Sequence, residues 1–205
     1  MDCNQCNLQL FTCKQIKPVG NILGFITIIT SSPSFVDSLT GIPLCGLQEL
    51  LDSGCRTCKK FNNCFGYFFT NRPSSEWSTG CTGYDGEMYN NIASSFEQGV
   101  FNTGGQIIDR YLNDLGINRG DIYITSAIKC YTPGGRPPTI NEIEQCRHNL
   151  LVELDTAKPD IVVTLGELAL YAITKVMDED YNEIPKGQWP FHIIPTYNPD
   201  AIVRL

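Results

Sequence analysis

Asp121-Ile122-Tyr123-Ile124-Thr125 is followed by a loop rich in Pro and Gly, then by Thr139-Ile140-Asn141-Glu142, and then by Ile161-Val162-Val163-Thr164-Leu165. The two apolar, β-branched runs are short enough to be buried strands. Between them, Thr139 is placed to cap a helix, and Glu142 three residues on completes a capping box. That helix is expected to run to about Leu154. Strand, capped helix and strand in this order make a crossover unit, which predicts a parallel sheet covered by helices.

The same rhythm extends in both directions. Ile22-Leu23-Gly24-Phe25-Ile26-Thr27-Ile28-Ile29 reads as an earlier buried strand, and Phe191-His192-Ile193-Ile194-Pro195 as a last one. Ile107, Ile108, Tyr111, Leu112 and Leu115 recur at helical spacing before Gly116, which can end that helix. A further helix is expected from Glu167 to about Met177. The expectation is a three-layer α/β/α arrangement around a central four-stranded parallel sheet, formed by one domain over residues 1–205. Residues 47–102 break the rhythm with clustered cysteines, aromatics, Ser and Gly, and read as an insertion.

The chain has 205 residues, 42% hydrophobic and 18% charged, enough for one substantial core. Its longest apolar stretch, around Ile22 to Ile29, is far shorter than the roughly 20 residues that cross a bilayer. The start, Met1-Asp2-Cys3-Asn4, has no basic segment leading into an apolar one, so no secretory signal and a cytoplasmic location are expected. Ten cysteines in such a chain argue for metal over disulfides, because cytosolic thiols are kept reduced. A net charge of −7 argues against a protein that coats nucleic acid along its whole surface, since phosphate binding needs Lys and Arg. A local basic face is compatible with it.

Cys3-Asn4-Gln5-Cys6 lies ahead of the first strand, with Cys130 and Cys146 far downstream. Four thiolates converging from distant segments suit an iron-sulfur cluster or a structural zinc; the alternative is a set of ordinary buried thiols. The stretch Lys129-Cys130-Tyr131-Thr132-Pro133-Gly134-Gly135-Arg136-Pro137-Pro138-Thr139, with Glu142 and Cys146, resembles the K-C-R-P-P-G-N-R-x-P-T…E…C stretch of family 4 uracil-DNA glycosylases. Thr103-Gly104-Gly105-Gln106-Ile107-Ile108-Asp109 is similar to that family's A-G-x-L-L-D helix start. Pro159 to Gly166 is similar to its P-x-v-I-v-t-L-G strand, and Pro195-Thr196-Tyr197-Asn198-Pro199 to its P-T-Y-H-P motif. The resemblance implies a uracil-DNA glycosylase-like fold, a 4Fe-4S cluster held by Cys3, Cys6, Cys130 and Cys146, and DNA as the partner.

The pocket motifs depart from that pattern. Where the family has G-E-A-P-G, this chain has Thr30-Ser31-Ser32-Pro33-Ser34, followed by Asp37 and by Gly41-Ile42-Pro43-Leu44-Cys45-Gly46. By the resemblance, Ser31 replaces a glutamate, Leu44 an aromatic ring that stacks on the base, and Ser126 an asparagine that reads the base edge. Asn198 replaces a histidine that stabilises the departing base. Ser31, Pro33, Leu44 and Ser126 are therefore the expected base pocket, with Asp37 and Asn198 as catalytic candidates. Asp37 has two readings: it can orient water, or it can cap a backbone turn. The chain also ends at Arg204-Leu205, where the family continues through a DNA-inserting loop, so a wedge that replaces the extruded nucleotide is expected to be missing.

Within the insertion, Cys55 to Arg72 concentrates cations and rings without an acid. Arg56, Lys59, Lys60 and Arg72, together with Arg136 of the cysteine motif, are the candidate nucleic-acid contacts. Cys55, Cys58, Cys64 and Cys81 are candidates for a second metal site, with zinc as the ion, or else line an aromatic minicore. The resulting expectation is an iron-sulfur, DNA-binding relative of the glycosylases whose uracil excision is weak or lost, serving a replication, repair or DNA-modification protein. The alternatives are an active glycosylase for uracil or another altered base, and a different reaction on a flipped base.

Overall fold

Ile28 and Ile29 are consecutive residues of one strand, so their side chains leave opposite faces of the sheet. Ile28 packs with Leu44, Leu112, Ile124 and Leu165. Ile29 packs with Ile143, Leu150, Leu154, Val162 and Ile173. Two separate cores on the two faces of one sheet give three layers.

The computed structural model describes residues 6–12, 15–45, 104–177 and 189–199. Its strands are β1 (Val19–Gly20), β2 (Ile26–Thr30), β3 (Tyr123–Ser126), β4 (Ile161–Leu165) and β5 (His192–Thr196). Its α-helices are α1 (Phe35–Thr40), α2 (Gly104–Asp114), α3 (Ile140–Ala157) and α4 (Glu167–Thr174). The sheet order is β1-β3-β2-β4-β5. Strands β3, β2, β4 and β5 run parallel, as the crossover pattern predicts, with Thr30 opposite both Ser126 and Leu165, and Leu165 opposite Thr196. Leu112 of α2 belongs to the core on one face, while residues of α3 and α4 fill the core on the other.

The sequence-based element limits need correction at several points. The sheet has a fifth member, the antiparallel β1, which at two residues is too short to show a period. β2 begins at Ile26, not Ile22. Asn21 Oδ1 accepts the Leu23 amide at 3.0 Å and its carbonyl accepts Gly24 N at 2.8 Å, so a local turn competes with the strand and leaves Leu23 81% exposed. A 3-10 turn at Arg119–Asp121 delays β3 to Tyr123. β3 ends at Ser126, and Cys130 lies in the loop beyond it. The capping box of α3 forms as expected, with Glu142 N donating to Thr139 Oγ1 and Thr139 N donating to Glu142 Oε2. α3 continues past Leu154 to Ala157. α4 stops at Thr174, short of Met177, where Lys175 turns left-handed (φ 62°) and Arg147 donates to the carbonyls of Ala172 and Ile173. α1 is an addition to the expected elements. The segment 47–102 lies wholly outside the described residues, as does the question of its separate structure. Among the described residues no helix is long and apolar enough to cross a membrane.

Candidate functional site

In a parallel sheet, ligands bind beyond the carboxyl ends of the strands, where neighbouring connections diverge. Here that place is the end of β2, because the chain lays β3 on one side of it and then crosses to lay β4 on the other. Ser31 follows β2 directly, Ser126 ends β3, Gly166 follows β4, and Asn198 lies two residues past β5. Backbone bonds tie these ends together: Ala127 N donates to Thr30 O, Ile128 N to Ser31 O, and Gly166 N to Thr196 O at 2.7 Å. Gly166 has φ +88°, and a Cβ there would lie 3.3 Å from the Cβ of Asn198, so glycine allows β5's exit to close against β4. Ser31, Ser126 and Asn198 are thus brought to one edge of the sheet. Ser126 is fully buried, and its hydroxyl donates to Ile128 O at 2.6 Å, closing its own turn. Asn198 is half-buried.

Asp37 and Leu44 lie in the segment after β2, and the structure gives both of them backbone work. Ser34 caps α1 and Asp37 answers it: Asp37 N donates to Ser34 Oγ, and Ser34 N donates to Asp37 Oδ2 at 2.8 Å. The other carboxylate oxygen, Oδ1, accepts Cys45 N at 2.7 Å. Asp37 is 3% exposed. Leu44 is also 3% exposed, with its side chain in the core beside Ile28 and Leu112 and its backbone left-handed at φ 49°. Pro33 is buried in the same segment.

A buried ionic knot stands between β3 and α3. Lys129 Nζ donates to Thr125 Oγ1 at 2.7 Å, to Ser126 O at 2.8 Å and to Glu153 Oε2 at 2.6 Å. Thr125 Oγ1 also donates to Glu153 Oε2. All three ammonium donors are used, which is what a buried lysine requires. Burial pushes the lysine pKa below its ordinary value, opposed by Glu153. The same lack of water, with Glu153 adding to it, raises Tyr123 to about 12.

Of the four cysteines expected at the cluster, Cys6, Cys130 and Cys146 are described and Cys3 is not. Cys130 is part of the core on the α3 face, and Cys6 and Cys146 pack against that same core. The N-terminal segment is held beside Cys130 by two bonds, Tyr131 N to Thr12 Oγ1 and Ile16 N to Lys129 O. Asn149 Nδ2 approaches Cys146 Sγ at 3.8 Å. The donor chemistry suits an iron-sulfur cluster, with thiols in apolar surroundings and an amide near sulfur. Among the described residues, however, no three His, Cys, Asp or Glu side chains are gathered closely enough to hold a metal ion. Cys55, Cys58, Cys64 and Cys81, and with them Arg56, Lys59, Lys60 and Arg72, lie outside the described residues. Arg136 is described and exposed, but both ends of its guanidinium are held by Glu142, at 2.9 and 2.5 Å.

Two features of the site are additions to the residues expected from the sequence. The pairing of Ser34 with Asp37 before Gly41 carries the signature of a short capped helix, a signal present in the sequence. Arg119 carries no such signal. Its guanidinium donates to Asp109 Oδ1 at 2.7 Å, to Pro43 O at 3.0 Å and to Leu44 O at 2.5 Å, the last two across about seventy-five positions of sequence.

A family model described as the uracil DNA glycosylase superfamily matches residues 18–205. The chain is 28% identical over 109 residues to a type-4 uracil-DNA glycosylase of Archaeoglobus fulgidus, covering 48% of this chain and 55% of that protein. It is 32% identical over 108 residues to a type-4 uracil-DNA glycosylase of Thermotoga maritima, covering 49% and 54%. A type-5 uracil-DNA glycosylase of Pyrobaculum aerophilum is 44% identical over 64 residues, 31% of this chain and 28% of that protein. The matches span about half the length of the type-4 relatives.

Proposed function

Since the chain belongs to the uracil DNA glycosylase superfamily, we propose that the crevice at the carboxyl edge of its sheet receives a base extruded from DNA and that standard uracil excision there is weak or lost. Breaking the N-glycosidic bond requires a donor for the anionic leaving base and a carboxylate near the sugar as it gains positive charge. The observation that carries the proposal is the placement of Asp37, whose two carboxylate oxygens each accept a backbone amide inside a buried turn. Such a carboxylate is committed to holding the loop. Ser31 supplies a hydroxyl where the resemblance implies a glutamate, and Asn198 supplies a neutral amide, a weaker partner for an anion than a charged donor.

DNA is the proposed partner, with Arg56, Lys59, Lys60 and Arg72 supplying phosphate contacts. Arg136, paired with Glu142, contributes less. Cys3, Cys6, Cys130 and Cys146 are assigned to a 4Fe-4S cluster with a structural role, which would cross-link the N-terminal segment, the loop after β3 and α3. Metal analysis of anaerobically purified protein distinguishes this from zinc: about four irons per chain and broad visible absorption are expected, and colourless protein holding zinc alone overturns it.

Function is tested by incubating the protein with single- and double-stranded oligonucleotides containing uracil or other altered bases, and scoring both binding and abasic sites. Binding with little or no uracil release is expected. Brisk uracil release overturns the proposed loss of activity, and release of a different base would identify an active glycosylase of altered specificity.

A further inference from the structure

The segment Pro43-Leu44-Cys45 follows α1, Leu44 packs in the same core as Leu165 at the carboxyl end of β4, and the backbone of the segment is held from three sides. Leu44 adopts φ 49°, a left-handed conformation that is costly for a non-glycine residue and persists only where the surroundings enforce it. Asp37 takes the amide of Cys45 at 2.7 Å. The N-terminus of α2 lies directly beneath the loop: a Cβ on Gly105 would come within 2.3 Å of Leu44 O and 2.5 Å of Cys45 O. The third support is Arg119, whose two terminal nitrogens join Asp109 of α2 to the carbonyls of Pro43 and Leu44.

We infer that Arg119 is a positioning residue for the crevice wall, acting through the Pro43 and Leu44 carbonyls and not by touching nucleic acid. The inference rests on the reading of this edge as the base pocket. The planar fork of arginine fits this geometry, because one end is oriented by a carboxylate on a rigid helix while the other takes two adjacent carbonyls. Lysine, a single point charge, cannot span both. The ion pair is partly shielded from water, at 18% exposure for the Arg119 side chain and 31% for Asp109. Its role is to keep the left-handed turn at Leu44 from relaxing, which fixes where the wall stands relative to Ser31 and Asn198.

The test uses the full chain carrying Arg119→Met or Arg119→Lys, with two readouts. The first is native-state alkylation of Cys45, followed by peptide mapping and compared with Cys130 in the same sample. Cys45 is 1% exposed and sits at the end of the clamped segment, whereas Cys130 packs in the core on the opposite face. Arg119→Met is expected to speed alkylation of Cys45 about tenfold or more, about 1.4 kcal/mol in the opening equilibrium, while Cys130 keeps its wild-type rate. Arg119→Lys should fall between. The second readout is the affinity for a uracil-containing oligonucleotide relative to its unmodified counterpart, measured across salt concentrations. The preference should shrink severalfold with the salt slope unchanged. A slope shallower by about one would mark Arg119 as a phosphate contact and overturn the inference. It is equally overturned if Cys45 keeps its protection in a folded variant, or if Cys45 and Cys130 become reactive together. If the wild-type protein binds no oligonucleotide, or binds uracil-containing and ordinary DNA alike, the base-pocket reading fails for uracil, and the alkylation result still decides whether Arg119 holds the loop.

Discussion

Lys129 Nζ lies 2.6 Å from Glu153 Oε2, and the two side chains are 9% and 18% exposed. The pair joins the loop that presents Cys130 to the helix that carries Cys146. Removing one partner leaves the other charged in a nearly dry site, so Lys129→Met or Glu153→Met is expected to cost about 3 kcal/mol or more. The double change to methionine should recover much of that loss, because it abolishes both desolvation costs together. Urea denaturation of the three variants checks this. Equal losses in the double and single variants would show that packing, not charge, sets the cost.

Asp37→Asn keeps the shape of the side chain but turns an amide NH2 toward a backbone donor. With Ser34 N and Cys45 N both needing an acceptor, stability should fall by about 1–3 kcal/mol. Chemical denaturation within about 0.5 kcal/mol of wild type would remove Asp37 from its structural role and make it a catalytic candidate again.

At the start of α3, Arg136 holds the Glu142 carboxyl below its ordinary pKa, assisted by the bonds from Thr139. A carboxyl whose folded pKa is depressed stabilises the protein above its unfolded pKa of about 4.3, and that stability is lost as pH falls through the lower folded value. Glu142→Gln keeps an acceptor for Thr139 N but removes the ion pair with Arg136, so it should lower stability at neutral pH by about 0.2–1 kcal/mol. It should also flatten the acid limb of a stability profile below about pH 4.5. A variant with an unchanged acid limb would show that the pair is too well solvated to matter.

Ser31→Glu with Asn198→His is expected to create or raise uracil release by about a hundredfold or more, the usual effect of one well-placed electrostatic group. Release is followed as abasic sites in a uracil-containing oligonucleotide. Leu44→Phe, by contrast, should not help by providing a stacking ring. Leu44 is 3% exposed and packs in the core, where a larger side chain overpacks. Activity that rises with Leu44→Phe alone would show that this side chain faces the base.

The sequence alone determined the three layers and the chain order of the four parallel strands. Alternating apolar strands and a capped helix are local patterns, and residues such as Ile28, Ile29, Thr139 and Glu142 declare their roles within a few positions of chain. By the resemblance of motif order it also pointed to Ser31, Ser126 and Asn198, which the structure brings to one edge of the sheet. Only the tertiary structure decided which polar groups are already committed. On the sequence, Asp37 has two readings, orienting water or capping a turn; its bonds to Ser34 and Cys45 are those of the turn. Likewise nothing near Arg119 announces that it clamps Pro43 and Leu44, and nothing near Lys129 announces that its partner is Glu153. Hydrogen bonds between distant segments depend on how layers stack, and a linear pattern carries no trace of them until the chain has closed.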